Sequence, residues 1–289
     1  MTVPSRVTIV TVSHDSLDVL PAMLDSIPHG TPTSIVDNAS RDVAALRSLA
    51  AGWGARLIES PVNEGFGAAC NRGAKLATTE FLLFLNPDAV LAPGALEQLL
   101  AAADRYPLAV AMSPRLANAD GSPSFKRNSD LMPRSERMAR GWPTADCEVP
   151  VLCGAALFVR SKDFEAVCGF DPAIFLYHED DDIARRLRAQ RGPLMFIRAA
   201  LVTHVGGASS EQSTEADAFK AFHHARSRVY GRRKHRMALP FASTLHLGLY
   251  GLLKLSVLTS PHLRAVRWAY LRGGLSTWRD GGAMQESAE

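Results

Sequence analysis

Residues 80–89 read EFLLFLNPDA, an apolar run that ends in a polar turn. The run Glu80–Leu85 is short and carries no charge after its first residue, which is typical of a buried strand in a parallel sheet. Pro87 disfavours helix at Asn86 and fixes a turn, which would hold the Asp88 carboxylate at the end of the strand. An Asx-type turn or a helix cap would explain the same motif equally well.

The same pattern recurs upstream of this stretch. Short apolar runs predict strands at Arg6–Ser13, Ser34–Asp37 and Ala55–Glu59, with helically spaced segments between them. This alternation predicts an α/β fold with a Rossmann-like, mostly parallel sheet flanked by helices, and ligands bind such sheets at the carboxyl ends of their strands. Polar groups follow all four predicted strands, at His14/Asp15, Asp37/Asn38, Asn63/Glu64 and Asn86/Asp88. We therefore expect a binding site along this edge.

The segment after the third strand, GFGAAC at residues 65–70, is close to the fingerprint of dinucleotide-binding proteins. It lacks the third glycine, which is Cys70 here, and it does not open the first βαβ unit. Close packing of a helix on the sheet through small residues is the better interpretation. We exclude an NAD site.

Residues 114–150 are rich in Pro, Gly, Ser and Arg and have no clear periodicity. This composition predicts a long, mobile excursion of the kind that often forms a lid or a substrate wall. A buried strand is predicted directly after it, at Val151–Val159. The excursion carries basic residues that would face either an anionic acceptor or solvent, namely Lys126, Arg127, Arg134, Arg137 and Arg140.

Four consecutive acids, Glu179 to Asp182, stand at the start of a predicted helix. The simplest interpretation is a charge cluster that suits the positive end of the helix dipole. However, the cluster follows an apolar, aromatic run from Phe170 to Tyr177, and four adjacent carboxylates repel one another unless a cation or a ligand offsets their charge. We therefore interpret the cluster as the catalytic centre.

Charge is distributed unevenly along the 289 residues, whose net charge is +3. From Ala218 to Arg279 there is no acid but twelve Lys and Arg residues, and subtracting these from +3 leaves −9 on the rest of the chain. A basic C-terminal segment suits an anionic surface or substrate. Within it, Met237–Thr259 is apolar but interrupted by polar residues, so we expect either an amphipathic segment at a membrane interface or a helical hairpin packed on the domain.

The N-terminus shows no signal peptide, and the four cysteines have no metal-binding spacing. Both features predict a cytoplasmic protein with reduced thiols. Together with the basic segment, they predict peripheral attachment to the inner face of the plasma membrane.

Seven motifs follow one another in an order and spacing that resemble the inverting glycosyltransferases of family 2, and in particular their bacterial rhamnosyltransferase-like branch. The resemblance implies a GT-A domain at residues 1–230 and a basic, amphipathic helical segment at 231–289. The motifs are SHDS at 13–16, VDNAS at 36–40, NEGFGAACN at 63–71, LNPDA at 85–89, CGAALFVR at 153–160, GFDPAIFLYHEDDD at 169–182 and THVGG at 203–207.

This resemblance implies an enzyme that moves a sugar, L-rhamnose as the best guess, from a dTDP- or UDP-linked donor to a hydroxyl group with inversion. The acceptor would be a glycan or a polyprenyl-diphosphate-linked sugar in the synthesis of cell-envelope polysaccharide. The resemblance implies no nucleic-acid partner, and it leaves the oligomeric state open.

The resemblance also assigns roles to individual residues. Asp180 would be the general base and Glu179 its catalytic neighbour, whereas Asp182 would be structural. Mg²⁺ or Mn²⁺ would be held by Asp88 and His204. The donor would lie against Thr11, Ser13, His14, Asp37, Asn38, Asn63, Gly65, Asn71, Asn86 and Asp88, with Asp37 accepting a hydrogen bond from the pyrimidine base.

One position departs from the family pattern, because Asn86 stands where the family has the first acid of its metal-binding motif. An amide brings no charge, so metal binding should be weaker. This departure keeps one alternative open, a degenerate transferase that binds nucleotide sugars without turnover. A nucleotidyltransferase is a second alternative, but it would need a basic, glycine-rich phosphate loop that Val10–Leu17 lacks.

Overall fold

A computed structural model describes residues 5–204 and 213–278 of the chain. Within these two ranges, ten strands form one sheet. In chain order the strands are β1 (Val7–Ser13), β2 (Thr33–Asn38), β3 (Arg56–Ser60), β4 (Phe81–Leu85), β5 (Ala89–Leu91), β6 (Ala111–Ala117), β7 (Pro123–Ser124), β8 (Cys147–Glu148), β9 (Ala156–Arg160) and β10 (Leu194–His204).

Ten α-helices accompany the sheet in the same described residues. Apolar side chains of α1, α2 and α4 join the core on one face of the sheet, and those of α3, α5 and α6 join the core on the other face. The helices are α1 (Leu20–Asp25), α2 (Val43–Trp53), α3 (Phe66–Ala74), α4 (Ala95–Arg105), α5 (Ser161–Ala166), α6 (Glu179–Gln190), α7 (Thr214–Lys234), α8 (Pro240–Leu252), α9 (Leu255–Thr259) and α10 (Pro261–Ser276).

The first strand shows why the apolar runs are continuous. Val7 and Ile9 of β1 belong to the core beside α1 and α2, whereas Val10 and Val12 belong to the core beside α3 and α6. Because successive side chains of a strand point to opposite faces, a strand covered by helices on both sides must be apolar at almost every position. The predicted α/β sheet with flanking helices is therefore confirmed.

The strand order is β3-β2-β1-β4-β9-β6-β10-β5, with β7 on β6 and β8 on β10. The first four strands are parallel, as predicted, and they bring their carboxyl ends to one edge. In contrast, β9 runs antiparallel to both β4 and β6, so the sheet is mixed. A parallel strand needs a crossover, usually a helix. Because β9 is reached through the helix-poor region 118–155, it is free to enter in the opposite direction.

The strand predicted at Val151–Val159 begins only at Ala156. The Ala155 carbonyl accepts from the Asn86 amide at 2.9 Å, which continues the register of the β4–β9 ladder by one pair. The ladder ends there, because the Gly154 amide donates to the Asp180 carboxylate at 2.9 Å and so cannot pair with a neighbouring strand.

The predicted mobile excursion at 114–150 is instead packed against the domain. Strand β6 continues to Ala117, and Leu131 and Met132 are buried. The indole of Trp142 donates to the Leu116 carbonyl at 2.6 Å. The aperiodic sequence concealed this packing because single apolar residues separated by polar turns produce no regular pattern.

The described residues form two compact units, 5–172 with 179–204, and 173–178 with 213–278. In the second unit, α7 and α10 approach closely, since a Cβ on Gly273 would lie 2.1 Å from the Phe222 carbonyl oxygen. Residues 173–178 join α7 through Ser227, whose hydroxyl donates to the Leu176 carbonyl at 2.8 Å. The boundary predicted at 230/231 falls inside α7.

Helix α3 packs closely on the sheet, as the small residues around GFGAAC predicted. A Cβ added to Gly73 would lie 2.4 Å from Val10 Cγ1 and 3.1 Å from Val36 Cγ2. No neighbour yields that much space inside a packed core without strain.

We predict that Gly73→Ala lowers the free energy of unfolding by about 1–3 kcal/mol through this overpacking. The matched control is Gly52→Ala in α2, where an added Cβ meets nothing within 4 Å. Alanine is the better helix former, so the control should stabilise the chain by about 0.5 kcal/mol. Urea denaturation measures both changes, and equal effects of the two substitutions would contradict close packing of α3.

Candidate active site

The acid cluster forms the first turn of α6, where the helix dipole favours negative charge. Asp180 receives three hydrogen bonds, each from an identified donor. Its Oδ2 accepts from the Gly154 amide at 2.9 Å and from Lys126 Nζ at 2.6 Å, and its Oδ1 accepts from the Asp181 amide at 2.8 Å. Such bonds stabilise the ionised form of a carboxyl and hold it in one orientation.

Lys126 is the cation that offsets the charge of this cluster. Its ammonium lies 2.6 Å from Asp180 Oδ2 and 2.7 Å from Asp181 Oδ1. Burial opposes the charged form of Lys126, but the two carboxylates outweigh burial and raise the pKa of Lys126 above its ordinary value. Lys126 therefore pairs with the acid cluster, a contact that the sequence did not predict. The chain itself supplies a cation that offsets part of the charge of the cluster.

The fourth acid has its own cation one helical turn away. Arg186 contacts Asp182 Oδ2 through Nε and Nη2, each at 2.8 Å, and the Asp182 side chain is fully buried. A two-nitrogen contact with a buried carboxylate fixes side-chain geometry. This arrangement supports the structural role predicted for Asp182.

Glu179 is buried, and its Oε2 has no hydrogen-bond partner among the described residues. Burial, together with the charge of Asp180, raises the pKa of Glu179 to about 8. Glu179 therefore carries its proton at neutral pH. Lys126 and Arg186 therefore pair with the other three acids of the cluster.

Asp88 and His204 meet at the other candidate centre. Strand β10 pairs antiparallel with β5 so that His204 lies opposite Ala89, the residue after Asp88. His204 Nε2 is 3.2 Å from Asp88 Oδ1 and 3.4 Å from Asn86 Nδ2. Asp88 is almost fully buried, yet neither of its carboxylate oxygens accepts a hydrogen bond from any described residue.

A buried carboxylate without donors is what a divalent cation would satisfy, and carboxylate oxygen and imidazole nitrogen are suitable ligands for Mn²⁺ or Mg²⁺. Across residues 5–204 and 213–278, no three His, Cys, Asp or Glu side chains converge to hold a metal by themselves. Asp88 and His204 thus fit a cation whose remaining ligands come from outside these side chains.

One dipeptide links the two centres. The Gly154 amide donates to Asp180, and the carbonyl of the next residue, Ala155, accepts from the Asn86 amide at 2.9 Å. Consecutive Cα atoms are about 3.8 Å apart. The candidate base and the turn that carries Asp88 are therefore close neighbours. Gly154 has little room for a side chain, since an added Cβ would lie 3.3 Å from Asp180 Cβ.

A third group lies at the carboxyl ends of β1, β2 and β3. Asp37 is buried, pairs in register with Ser13 of β1, and accepts a hydrogen bond from the Ser40 amide at 2.9 Å. Together with residues at the end of β3, Asp37 lines an open cleft of about 440 Å³. This position suits the base contact predicted for Asp37.

The loop before α3 is held by two asparagines predicted to lie near the donor. Asn38 Nδ2 donates to Asn63 Oδ1 at 2.8 Å, and Asn63 Oδ1 also accepts from the Gly65 amide at 3.0 Å. The Glu64 amide donates to Asn38 Oδ1 at 2.9 Å. These contacts give Asn38 and Asn63 a structural role in shaping the loop, whether or not they also touch a donor.

The remaining predicted donor residues have different surroundings. His14 is exposed at the end of β1, with Nδ1 2.9 Å from the Asn38 carbonyl oxygen, whereas Thr11 and Ser13 are buried within the strand. Asn71 bonds both backbone groups of Phe170, donating to its carbonyl at 2.8 Å and accepting from its amide at 2.9 Å. These two hydrogen bonds hold the backbone of Phe170 against α3. Contacts of these side chains with a donor remain predictions.

Sequence reasoning missed Lys126 and Gly154. Lys126 lies 54 residues from Asp180 in a segment without periodicity, so only its charge distinguished it from other basic residues there. Gly154 had a stronger signal, because it is the second residue of the CGAALFVR motif, but neither the predicted strand nor the family resemblance assigns it a role.

The raised pKa of Glu179 predicts how stability depends on pH. The folded chain keeps a proton that the unfolded chain releases near the ordinary value of 4.5, so this carboxyl lowers the free energy of unfolding as pH rises toward about 8. We expect a slope of up to about 1.4 kcal/mol per pH unit in wild type, and its removal in Glu179→Gln.

Urea denaturation between these two pH values measures the effect. Asp104→Asn is the matched control, because Asp104 is exposed and its pKa is lowered by the hydrogen bond to Arg6. The control curve should run parallel to wild type. A Glu179→Gln curve that also ran parallel would show that Glu179 ionises with its ordinary pKa.

Comparison with known proteins agrees with this geometry. Residues 8–168 match the family described as glycosyl transferase family 2. An N-acetylglucosaminyl-diphospho-decaprenol L-rhamnosyltransferase of Mycobacterium tuberculosis is 31% identical in an alignment of length 204 that covers 60% of this chain and 66% of the relative. An uncharacterized glycosyltransferase of Mycobacterium bovis is 34% identical over 99 residues, covering 34% of this chain and 44% of that protein. The chain thus spans slightly less than two thirds of the first relative.

Solved structures share the fold. S. aureus TarS in complex with UDP-GlcNAc matches with a TM-score of 0.58 and 14% identity, over 96% of this chain and 92% of that one. The mannosyltransferase PcManGT from Pyrobaculum calidifontis, in complex with GDP-Man and Mn²⁺, matches with a TM-score of 0.56 and 17% identity, over 96% and 75%. Both the predicted fold and the predicted family are confirmed. The chain belongs to glycosyl transferase family 2 and has the GT-A fold of these glycosyltransferases.

Proposed function

We propose that this glycosyltransferase transfers a sugar from a pyrimidine nucleoside diphosphate to a hydroxyl of a lipid-linked acceptor, with inversion, and that Asp180 is its general base. The observation that carries the proposal is the Gly154–Ala155 dipeptide, which bonds the Asp180 carboxyl on one side and the Asn86–Asp88 turn on the other. A base for the acceptor and a site for the donor diphosphate then adjoin one another.

The acceptor side requires a carboxylate that is ionised and fixed in direction. A sugar hydroxyl is too weakly acidic to lose its proton beforehand, so a base within hydrogen-bond reach must take the proton as the hydroxyl attacks. Asp180 meets this need because Lys126 and Gly154 hold its Oδ2. Its remaining lone pairs can receive the proton. A single base suffices for one displacement, which inverts the anomeric carbon.

The donor side must stabilise the negative charge that develops on the departing nucleoside diphosphate. We infer that Asp88 and His204 hold a divalent cation at this position, since Asp88 is buried and accepts no hydrogen bond from the described residues. When bound, the cation would neutralise charge on the diphosphate. Asp37, in the cleft at the end of β2, would bind the imide of uracil or thymine.

The choice of sugar and acceptor rests on the relative from M. tuberculosis. Its name describes transfer of L-rhamnose to a decaprenol-diphosphate-linked N-acetylglucosamine. We propose dTDP-L-rhamnose as the donor and a polyprenyl-diphosphate-linked sugar as the acceptor, in the synthesis of cell-wall polysaccharide.

A non-catalytic module is the alternative function, and Asn86 is the residue that favours it. The Asn86 amide contacts His204 at the candidate metal site but adds no negative charge for binding a metal. Such a module would bind nucleotide sugars but release no nucleotide. A measurement of nucleotide release therefore distinguishes the enzyme from the binding module.

The experiment is nucleotide release from dTDP-, UDP- and GDP-sugars with Mg²⁺ or Mn²⁺ and a polyprenyl-diphosphate-linked N-acetylglucosamine as acceptor. We expect release from one donor. Asp180→Asn should reduce kcat about a hundredfold or more, because the amide cannot take the proton. Asp88→Ala should abolish the stimulation by metal. Magnetic resonance of the product should show an anomeric configuration opposite to that of the donor.

The control is Asp104→Asn, an exposed acid with 62% of its side chain accessible, which should retain full activity. Protection against melting by a nucleotide sugar, without any release, would favour the binding module. Equal turnover by Asp180→Asn and wild type would exclude Asp180 as the base.

A further inference from the structure

In the second unit, helix α8 buries small residues and exposes large apolar ones. The face of α8 that lies against α10 consists of small residues, with Thr244, Gly248 and Gly251 buried. A Cβ on Gly248 would lie 3.3 Å from the Leu271 Cα, and one on Gly251 would lie 3.0 Å from Arg267 Cδ. This close approach leaves no room for larger side chains on the inner face.

The outer face carries the large apolar residues. Leu249 and Tyr250 of α8 are 53% and 58% exposed, and beyond the end of the helix Leu253, Leu255 and Leu258 are 82%, 81% and 70% exposed. In a helix that faces water the distribution is reversed, with large apolar residues inside and polar residues outside. Helices that face lipid, in contrast, pack through small residues. We call these five exposed residues, which lie close together in the sequence of α8, α9 and the turn between them, the leucine face.

Cations outnumber acids around this face, and Asp217 of α7 is an acid that contacts α10, with Oδ2 3.5 Å from His262 Nε2. The sequence from 218 to 278 contains no Asp or Glu. Lys254 is exposed between Leu253 and Leu255, and its ammonium lies 5.7 Å from the centre of the Tyr250 ring. The Arg264 guanidinium caps the C-terminus of α9 by donating a hydrogen bond to the Leu258 carbonyl at 3.2 Å. Apolar side chains with cations at the same level complement the interface of an anionic bilayer.

None of the helices in the described ranges is both long and apolar enough to cross a membrane. Helix α8 has 13 residues and α9 has five, and a bilayer core requires about 20. The leucine face therefore suits partial insertion at the level of the headgroups.

We infer that the leucine face inserts into an anionic phospholipid surface. The inference deepens the proposed function, on which it rests for the lipid-linked acceptor, by naming the residues that attach the enzyme and the class of lipid. Leu253 and Leu255 enter the acyl boundary, and Lys254 binds phosphate groups. Attachment here would keep the enzyme at the surface where a polyprenyl-linked acceptor resides.

The test is sedimentation of the full chain with vesicles of phosphatidylcholine, with and without phosphatidylglycerol, in the absence of any sugar donor. Wild type should bind the mixed vesicles and bind pure phosphatidylcholine more weakly. The double variant Leu253→Gln/Leu255→Gln should lose affinity about a hundredfold, since two buried leucines contribute that much or more. Lys254→Glu should weaken binding only to the anionic vesicles.

Leu108→Gln is the matched control, because Leu108 is 80% exposed on the first unit and should not contact lipid. Binding of the double variant equal to wild type would overturn the inference. So would a wild-type dimer in sedimentation velocity that the double variant loses, since the face would then be a contact between copies. Lys254→Glu tests the inference even if the double variant does not fold. Vesicle binding needs no turnover, so a failure of the proposed transfer reaction would be visible separately.

Discussion

The ion pair between Lys126 and the carboxylates of Asp180 and Asp181 is the contact on which the candidate site depends. Four acids in one helical turn would repel one another strongly without compensation. The structure provides that compensation by three means, namely Lys126, Arg186 on Asp182, and a proton held on Glu179. The dipole of α6 adds to them. The result is a cluster in which three donors hold the Asp180 carboxyl in place before any substrate arrives.

This pairing also explains the course of the chain around the sheet. Lys126 reaches the acids because residues 118–149 pack on the domain, and Gly154 reaches Asp180 because the strand that follows begins two residues later, at Ala156. The antiparallel entry of β9 between β4 and β6 places the Gly154–Ala155 dipeptide beside the end of β4. The proposed base and the turn that carries Asp88 thus adjoin as a consequence of the mixed sheet, which a fully parallel one would not provide in this way.

The features that could be predicted depend on residues close together in the sequence, whereas those that could not depend on contacts between distant residues. The strands β1 to β4 and the polar groups at their ends follow from local apolar runs and turn residues, so the edge with Asp37 and Asp88 was foreseen. The encounter of Lys126 with Asp180 depends on tertiary packing, which leaves no periodic trace in the sequence. The pKa of Glu179 depends on burial and on a neighbouring charge, and neither can be obtained from the identity of the residue.

The C-terminal helices show the same limit in another form. The apolar run at 237–259 predicted an amphipathic segment, and helices α8 and α9 form there. Which face turns inward was decided by glycines, since Gly248 and Gly251 admit α10 more closely than any leucine would. Apolar content alone does not predict which face of a helix is buried. Close packing of small residues can stabilise a pair of helices more than the burial of large residues does.

The most direct test of the paired acid cluster is kcat for Lys126→Met, compared with wild type and with Lys126→Arg, which keeps the charge. If Lys126 holds the Asp180 carboxylate in the orientation of a base, the methionine variant loses that contact. Its kcat should then fall about tenfold or more with little change in the KM for the acceptor, whereas the arginine variant should retain most of the wild-type kcat. An unchanged kcat, with only a raised KM for the acceptor, would contradict this role and would make Lys126 a substrate contact.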